Sequence, residues 1–158
     1  MHLEFSKDIN YGLLGEKVIL DDLKSLGGIP MPEARHLEFF TAVNLSDNRY
    51  DFAISHDGKK ITYECKTDFY KDTGNLFVEI KCRDKWSGIC VTKADWFVTY
   101  FKTTNEIWYI KTEDLKQLVK NNEHRLSTMA GDKGSRTKGY LIDKNKYREH
   151  FIVRRVLI

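Results

Sequence analysis

Two carboxylates and a lysine stand out between residues 50 and 66, because their types and spacing suit phosphate chemistry. Asp51 belongs to a run that alternates between polar and apolar residues, and Glu64 and Lys66 lie two positions apart in a second such run. Asp57-Gly58 separates the runs, and this dipeptide favours a tight β-hairpin because both positions tolerate positive φ angles. Alternation along the paired strands then places Asp51, Glu64 and Lys66 on one face.

The chemistry that this trio could support is metal-assisted hydrolysis of a phosphodiester. Charged groups on an inner sheet face are costly unless something compensates them. A divalent cation between Asp51 and Glu64 would do so, and Mg²⁺ or Mn²⁺ prefers such hard oxygen ligands. Lys66 would lie about 7 Å along the strand from Glu64, within reach of a phosphate and an attacking water. The alternative is a surface ion-pair cluster, which would contribute little to stability.

A third carboxylate, Glu16, lies on a helix that we predict over residues 6–26, ending at Gly27-Gly28. The predicted inward stripe of this helix consists of Ile9, Leu13, Glu16, Leu20 and Leu23. Glu16 either reaches water from the margin of the stripe or joins the metal site. Gly12 and Gly15 lower the helix propensity of the segment and indicate a close backbone approach.

The remaining patterns predict an α/β fold in a single domain over residues 1–158, with a central mixed β-sheet flanked by helices. Besides the two hairpin runs, strands are expected at 37–45, 76–82, 96–101, 106–110 and 151–158. Helical segments are expected at 92–95, 113–121 and 144–150, the second of them capped by Thr112. Residues 83–88 and 131–139 are expected to be loops.

Composition and cysteine usage indicate a protein of a reducing compartment. The chain has 158 residues, a net charge of +3 and three cysteines, which cannot all pair and form no Cys-x-x-Cys motif. No apolar run approaches the ~20 residues of a membrane span, and the start lacks the features of a signal peptide. We therefore expect a cytoplasmic protein that does not enter membranes. Nucleotide-binding glycine loops, serine-nucleophile elbows and zinc-like histidine spacing are absent from the sequence.

Two basic segments are candidates for contact with nucleic acid. Lys85 and Trp86 lie in the predicted loop 83–88, where an aromatic ring beside a cation could touch a base. Lys133, Arg136 and Lys138 lie in the glycine-flanked segment 131–139 and could clamp phosphates. The alternative for the second segment is a solvated charged loop.

The arrangement Asp51…Glu64-Cys65-Lys66 resembles the active-site motif of the PD-(D/E)XK nuclease superfamily, with Tyr50 in place of the proline. The helix around Gly15-Glu16 is similar to the first helix of the Holliday junction resolvases in that superfamily. Residues 73–79, 87–89 and 92–96 also resemble segments of small phage-encoded members. The similarity extends over about residues 10 to 110.

This resemblance implies a metal-dependent nuclease that hydrolyses DNA with Mg²⁺ or Mn²⁺. It makes Asp51, Glu64 and the Cys65 backbone carbonyl metal ligands, Lys66 the catalytic lysine, and Glu16 a direct or outer partner of the metal. Glu79, in a second Glu-x-Lys triplet, is either a supporting acid on a strand beside Lys66 or part of a solvated face.

A compact chain without a separate recognition domain favours a structure-selective endonuclease of the Holliday junction resolvase type, acting on branched DNA. Symmetric cleavage of two strands would require a homodimer, joined through strand 37–45 or strand 151–158. The alternatives are an exonuclease, a restriction-like endonuclease, or a non-catalytic nucleic-acid-binding protein on the same fold.

Overall fold

A computed structural model describes residues 2–31, 50–122, 124–130 and 137–156 of the chain. Its strands are β1 (Ile29–Pro30), β2 (Phe52–His56), β3 (Lys59–Asp68), β4 (Asn75–Cys82), β5 (Lys85–Trp86), β6 (Trp96–Phe101), β7 (Glu106–Lys111), β8 (Arg125–Ala130), β9 (Thr137–Asp143) and β10 (Ile152–Arg155). Its α-helices are α1 (His2–Ser25), α2 (Thr112–Asn121) and α3 (Lys144–Tyr147).

The described strands form two sheets. The larger has the order β1-β2-β3-β6-β7-β10, and the smaller has the order β5-β4-β9-β8. Within the larger sheet β3 and β6 pair in parallel, whereas its other described neighbours pair antiparallel. The α/β fold with a mixed sheet is therefore confirmed. The expectation that strand 76–82 joins this sheet is wrong, because β4 pairs with β5 and β9 instead.

The central hairpin forms as the sequence predicts. Asp57 and Gly58 have φ angles of 51° and 78°, so both occupy the left-handed region that a tight hairpin turn requires. Phe52 is the register partner of Tyr63, which places their side chains on the same face of the sheet. Thr62, Glu64 and Lys66 of β3 alternate with Tyr63 and therefore share the opposite face.

Helices cover both faces of the larger sheet. On one face, Ile19 and Leu23 of α1 pack into a core with Tyr63, Cys65 and other side chains from β2, β6 and β7. On the other face, Leu115 and Leu118 of α2 pack into a second core, to which β4 and β9 of the smaller sheet also contribute. The smaller sheet thus serves as a second covering layer, which the sequence patterns did not predict.

Helix α1 is longer and rotated relative to the prediction. It begins at His2, since no helix-breaking residue interrupts positions 2–5, and among its residues 12–25 the buried ones are Gly15, Ile19 and Leu23. Leu13, Glu16 and Leu20 are half-buried, and the side chain of Ile9 lies outside the described part of the chain. The predicted inward stripe differs from the buried face of α1 because the prediction did not count glycine as an inward residue.

The end of α1 is a Schellman motif, as the Gly27-Gly28 stop predicts. The Gly27 N–H donates to the Lys24 carbonyl at 3.0 Å, and the Gly28 N–H donates to the Leu23 carbonyl at 3.0 Å. Gly27 has a φ of 91°, a conformation that a side chain would disfavour.

Several local predictions between residues 83 and 112 are wrong. Residues 83–88 contain a tight hairpin rather than a plain loop, since Arg83 and Asp84 have φ angles of 52° and 64° and β5 pairs with β4. The helical turn expected at 92–95 lies earlier, as a 3₁₀ turn at Gly88–Cys90. Thr112 is the first residue of α2 rather than its cap, which is Lys111, and the Thr112 N–H donates to the Asp95 carbonyl.

The C-terminal third contains strands where a loop was expected. β9 begins at Thr137, so only residues 131–136 of the predicted loop remain, and these lie outside the described residues, as does the predicted strand 37–45. Gly139 allows β9 to pack closely, because a Cβ there would overlap the Val78 carbonyl and the Phe77 ring. The helical segment at 144–150 and the edge strand β10 are confirmed. Among the described helices, none has the length and apolar character needed to cross a bilayer.

Candidate active site

Two hydrogen bonds hold Asp51 against β3, beside Glu64 and Lys66. Its N–H donates to the Tyr63 carbonyl at 2.9 Å. Its Oδ2 accepts a hydrogen bond from the Cys65 N–H at 2.7 Å, so the carboxylate lies beside the backbone between Glu64 and Lys66. The end of the hairpin thus brings together the three residues that the sequence singled out.

Glu64 and Lys66 form an ion pair on the face away from α1. Glu64 Oε1 lies 3.6 Å from Lys66 Nζ. The Glu64 side chain is 13% exposed and the Lys66 side chain is 40% exposed. The carboxylate is therefore largely withdrawn from water, while part of the Lys66 side chain stays exposed.

The electrostatic environment of Glu64 favours its protonated form. Burial raises the pKa of Glu64 to about 7, and the negative charge of Asp51 contributes to this rise, while Lys66 opposes it. Burial lowers the pKa of Lys66, but the charges of Glu64, Glu79 and Asp51 outweigh this effect and raise it above its usual value. The site thus holds an excess of negative charge that a cation would relieve.

Glu16 lies at the edge of this cluster. α1 approaches β3 closely at Gly15, where a Cβ would overlap the Thr67 hydroxyl, and Glu16 is the next residue. Burial raises the pKa of the Cys65 thiol, and the charges of Asp51, Glu16 and Glu64 raise it further. The influence of Glu16 on the pKa of Glu64 is the weakest of those acting there. Close approach is confirmed at Gly15 but not at Gly12, where an added Cβ would meet no other described part of the protein within 4 Å.

Glu79 reaches the cluster from the smaller sheet. Of the two alternatives for Glu79, a strand beside Lys66 is wrong, because the neighbours of β3 are β2 and β6. Glu79 is the register partner of Gly139 on β9. Its negative charge nevertheless raises the pKa of Lys66, which places it within electrostatic range of the ion pair.

The oxygen donors fit a magnesium-like ion that completes its shell from elsewhere. Within the described residues, no three His, Cys, Asp or Glu side chains form a group that could hold a metal by themselves. Mg²⁺, however, is usually bound by one or two protein carboxylates together with waters and substrate phosphates. Asp51, Glu64 and the Cys65 carbonyl supply a donor set of that kind, and it contains only oxygen.

The other predicted residues that the structure describes lie on the smaller sheet. Lys85 and Trp86 form β5 and are exposed, and Trp86 has 62% of its surface accessible. Lys138 is half-buried on β9, as the register partner of Lys81. Lys133 and Arg136 lie outside the described residues.

Sequence reasoning missed the positioning role of Asp95. Its Oδ2 accepts hydrogen bonds from the Thr62 N–H at 2.9 Å and the Thr62 hydroxyl at 3.0 Å. These bonds tie β3 to the residue that precedes β6, and so fix the strand that carries Glu64. Only the parallel pairing of β3 with β6 reveals this contact, and no local sequence pattern encodes that pairing.

The fold is similar to that of a DNA-cleaving enzyme. The solved structure of the bacterial homing endonuclease I-Ssp6803I superposes with a TM-score of 0.51 and 13% sequence identity, covering 86% of this chain and 78% of that chain. At this identity the likeness concerns the fold. No family model and no curated protein sequence matches the chain.

Proposed function

We propose that this protein is a metal-dependent endonuclease that hydrolyses phosphodiester bonds in DNA. The observation that carries the proposal is the convergence of Asp51, Glu64 and Lys66 at one end of the hairpin. The fold that the chain shares with a homing endonuclease supports DNA as the substrate. The resemblance to the PD-(D/E)XK superfamily supports the assignment of roles within the site.

Each residue of the site has a distinct task in this proposal. Asp51, Glu64 and the Cys65 carbonyl would hold Mg²⁺ or Mn²⁺, with Glu16 as a direct or outer partner and Glu79 in support. The bound ion would acidify a water molecule and neutralise charge on the phosphoryl oxygens. Lys66, oriented by its ion pair with Glu64, donates to the scissile phosphate and stabilises the charge that develops there. Asp95 keeps β3 in place.

For the substrate we favour branched DNA of the Holliday junction type. The resemblance of the Gly15-Glu16 helix to that of junction resolvases supports this choice. A resolvase acts as a homodimer, and the edge strand β10 offers one surface for association, where Ile152 is 56% exposed. Lys85, Trp86, Lys133, Arg136 and Lys138 remain the predicted contacts with the DNA backbone and bases.

The test is cleavage of a panel of end-labelled DNAs: a four-way junction, a flap, a nicked duplex, a single strand and a plain duplex. Each substrate is incubated with Mg²⁺ or with EDTA. Symmetric nicks in the junction, seen only with Mg²⁺, would support the resolvase assignment. A ladder of nucleotides from one end would indicate an exonuclease, and specific cuts in plain duplex would indicate a restriction-like enzyme. Binding without any cleavage would indicate a non-catalytic DNA-binding protein.

A further inference from the structure

An open apolar groove lies between the smaller sheet and α2, away from the ion pair of Glu64 and Lys66. Its volume is about 710 Å³, within the range of about 300–1,000 Å³ that is typical of ligand sites. Ile80, Ile89 and Val119 line its apolar part, and the aromatic rings of Trp86 and Tyr140 also face it. We propose that this groove binds an unpaired nucleobase of DNA, so that the enzyme prefers DNA in which a base beside the cut is unpaired, as at an opened branch point.

The charges around the groove are suited to a phosphate backbone. Lys116 and Lys120 are exposed one turn apart on α2 and line the groove, and none of the described lining residues is acidic. Lys81 places its Nζ 4.2 Å from the centre of the Trp86 ring. Burial raises the pKa of the Cys90 thiol, which also lines the groove, and the charges of Lys116 and Lys81 oppose that rise. Cations therefore approach the groove from both α2 and β4.

The combination of aromatic rings and lysines favours a nucleic acid over a protein partner. Sites for single-stranded DNA combine a positive groove with aromatic side chains on which bases stack. The cores of protein–protein interfaces, by contrast, are depleted in lysine. Trp86 keeps 62% of its surface exposed although Lys81 lies against its ring, so the indole can still accept a stacked base.

The groove is also connected to the proposed active site. Gly88, two residues after Trp86, packs so closely on β4 that a Cβ there would overlap the Glu79 carbonyl. The Ser87 N–H donates to the Ile80 carbonyl at 2.9 Å, which fixes the same contact. Glu79 lies two residues from Lys81, across an irregularity in the pairing of β4 with β9, and its charge acts on Lys66. In this proposal, the DNA strand that is cleaved at Lys66 continues past Glu79 into the groove.

This inference rests on the proposed nuclease function for its biological meaning, but its test does not need cleavage. Fluorescein-labelled oligo(dT) and a blunt duplex of equal length are titrated with the protein in EDTA. Trp86→Ala should weaken binding of the single strand about tenfold, the effect of removing one aromatic ring on which a base stacks, and affect the duplex much less. Trp86→Phe should recover most of the affinity. Tyr70→Ala serves as the control, because Tyr70 is 55% exposed but does not line the groove.

The lysines provide a second, independent readout. Replacement of both Lys116 and Lys120 by Gln should reduce the slope of log affinity against log salt for the single strand, by about 0.7 for each phosphate that is no longer neutralised. The charge-matched control is the double change of Lys24 and Lys59 to Gln, since both are exposed and outside the groove. Equal effects of the two double variants would overturn the proposal.

Two further outcomes would also overturn it. Single-strand binding by Trp86→Ala at wild-type affinity would exclude stacking in the groove, and equal losses for single strand and duplex would exclude selectivity for unpaired bases. Failure here is distinguishable from failure of the nuclease proposal. Cleavage that depends on Glu64, together with no effect of Trp86→Ala on binding, would refute only the proposed role of the groove. Selective binding of the single strand without Mg²⁺-dependent cleavage would refute only the nuclease proposal.

Discussion

Asp51 Oδ2 accepts a hydrogen bond of 2.7 Å from the N–H of Cys65, the residue between Glu64 and Lys66. This bond ties the side chain of one strand of the hairpin to the backbone of the other. Because Cys65 itself points into the core against α1, its backbone position is set by packing. The distance between the two carboxylates therefore depends on the fold of the hairpin, and not on flexible side chains alone.

Two substitutions of Asp51 should separate its structural role from its role in cleavage. Asp51→Asn keeps an oxygen that can accept from the Cys65 N–H, so stability should change little. Asp51→Ala leaves that N–H without its acceptor, which should lower the free energy of unfolding by about 1–3 kcal/mol. Both variants should lose Mg²⁺-dependent cleavage, because both lose a metal-binding charge. Urea unfolding and a nicking assay measure the two effects, and full activity in Asp51→Asn would exclude Asp51 as a ligand.

Glu64→Gln should abolish cleavage and leave DNA binding largely intact, because backbone phosphates bound elsewhere supply most of the affinity. Glu149→Gln is the matched control, since Glu149 is exposed on the 3₁₀ turn after α3. Single-turnover cleavage at saturating protein is the appropriate measurement. If Glu79→Gln were inactive and Glu64→Gln fully active, the second Glu-x-Lys triplet would be the true motif.

The raised pKa of Glu64 predicts a pH-dependent stability in the absence of metal. In the unfolded chain Glu64 loses its proton near pH 4.5, whereas in the folded protein its pKa is about 7. Between these values the folded state binds the extra proton, so the stability that Glu64 contributes is fully present below pH 4.5 and is lost as the pH rises towards 7. The loss is on the order of 3 kcal/mol.

Urea unfolding in EDTA across this range measures the effect. Burial also raises the pKa of Asp68, so some slope will remain without Glu64. The difference between the wild type and Glu64→Gln isolates the contribution of Glu64, and parallel curves would contradict it. Because Mg²⁺ must displace the same proton, its affinity by calorimetry should fall about tenfold for each pH unit below 7.

The sequence predicted the hairpin and its faces because these depend on local chemistry. Asp57-Gly58 specifies the turn. Alternation along the strand assigns Glu64 and Lys66 to one face, and it does so without knowledge of the layer that packs on that face. Alternation cannot identify the sheet to which a strand belongs, so β4 was assigned to the wrong one. Glu79 consequently approaches Lys66 from another layer than expected.

The rotation of α1 has a different physical origin. A pattern of apolar side chains gives glycine no weight, although Gly15 can face inward only because it has no side chain. The inward face runs through Gly15, Ile19 and Leu23, and Glu16 lies beside that face rather than within it. The sequence identified Glu16 as a third carboxylate of the site. Its position beside the inward face of α1 follows only from the contact of α1 with Thr67.

This contact leads to a prediction that couples stability to activity. Gly15→Ala should destabilise the protein by about 1–3 kcal/mol, since its Cβ would overlap the Thr67 side chain and force α1 away from β3. Gly12→Ala is the control: its Cβ would meet no other described part of the protein within 4 Å, so it should gain up to about 1 kcal/mol from helix propensity. Thr67→Ala should partly rescue Gly15→Ala. Thermal unfolding of the four proteins measures these effects.

The displacement of α1 that is expected in Gly15→Ala also tests whether Glu16 takes part in the reaction. If Glu16 supports the metal, then Gly15→Ala should raise the Mg²⁺ concentration needed for half-maximal cleavage, as should Glu16→Gln. The two changes combined should do no more than Glu16→Gln alone, because the displaced carboxylate is already gone. Cleavage by Glu16→Gln that equals the wild type at every Mg²⁺ concentration would instead place Glu16 at the solvent margin of α1, outside the reaction.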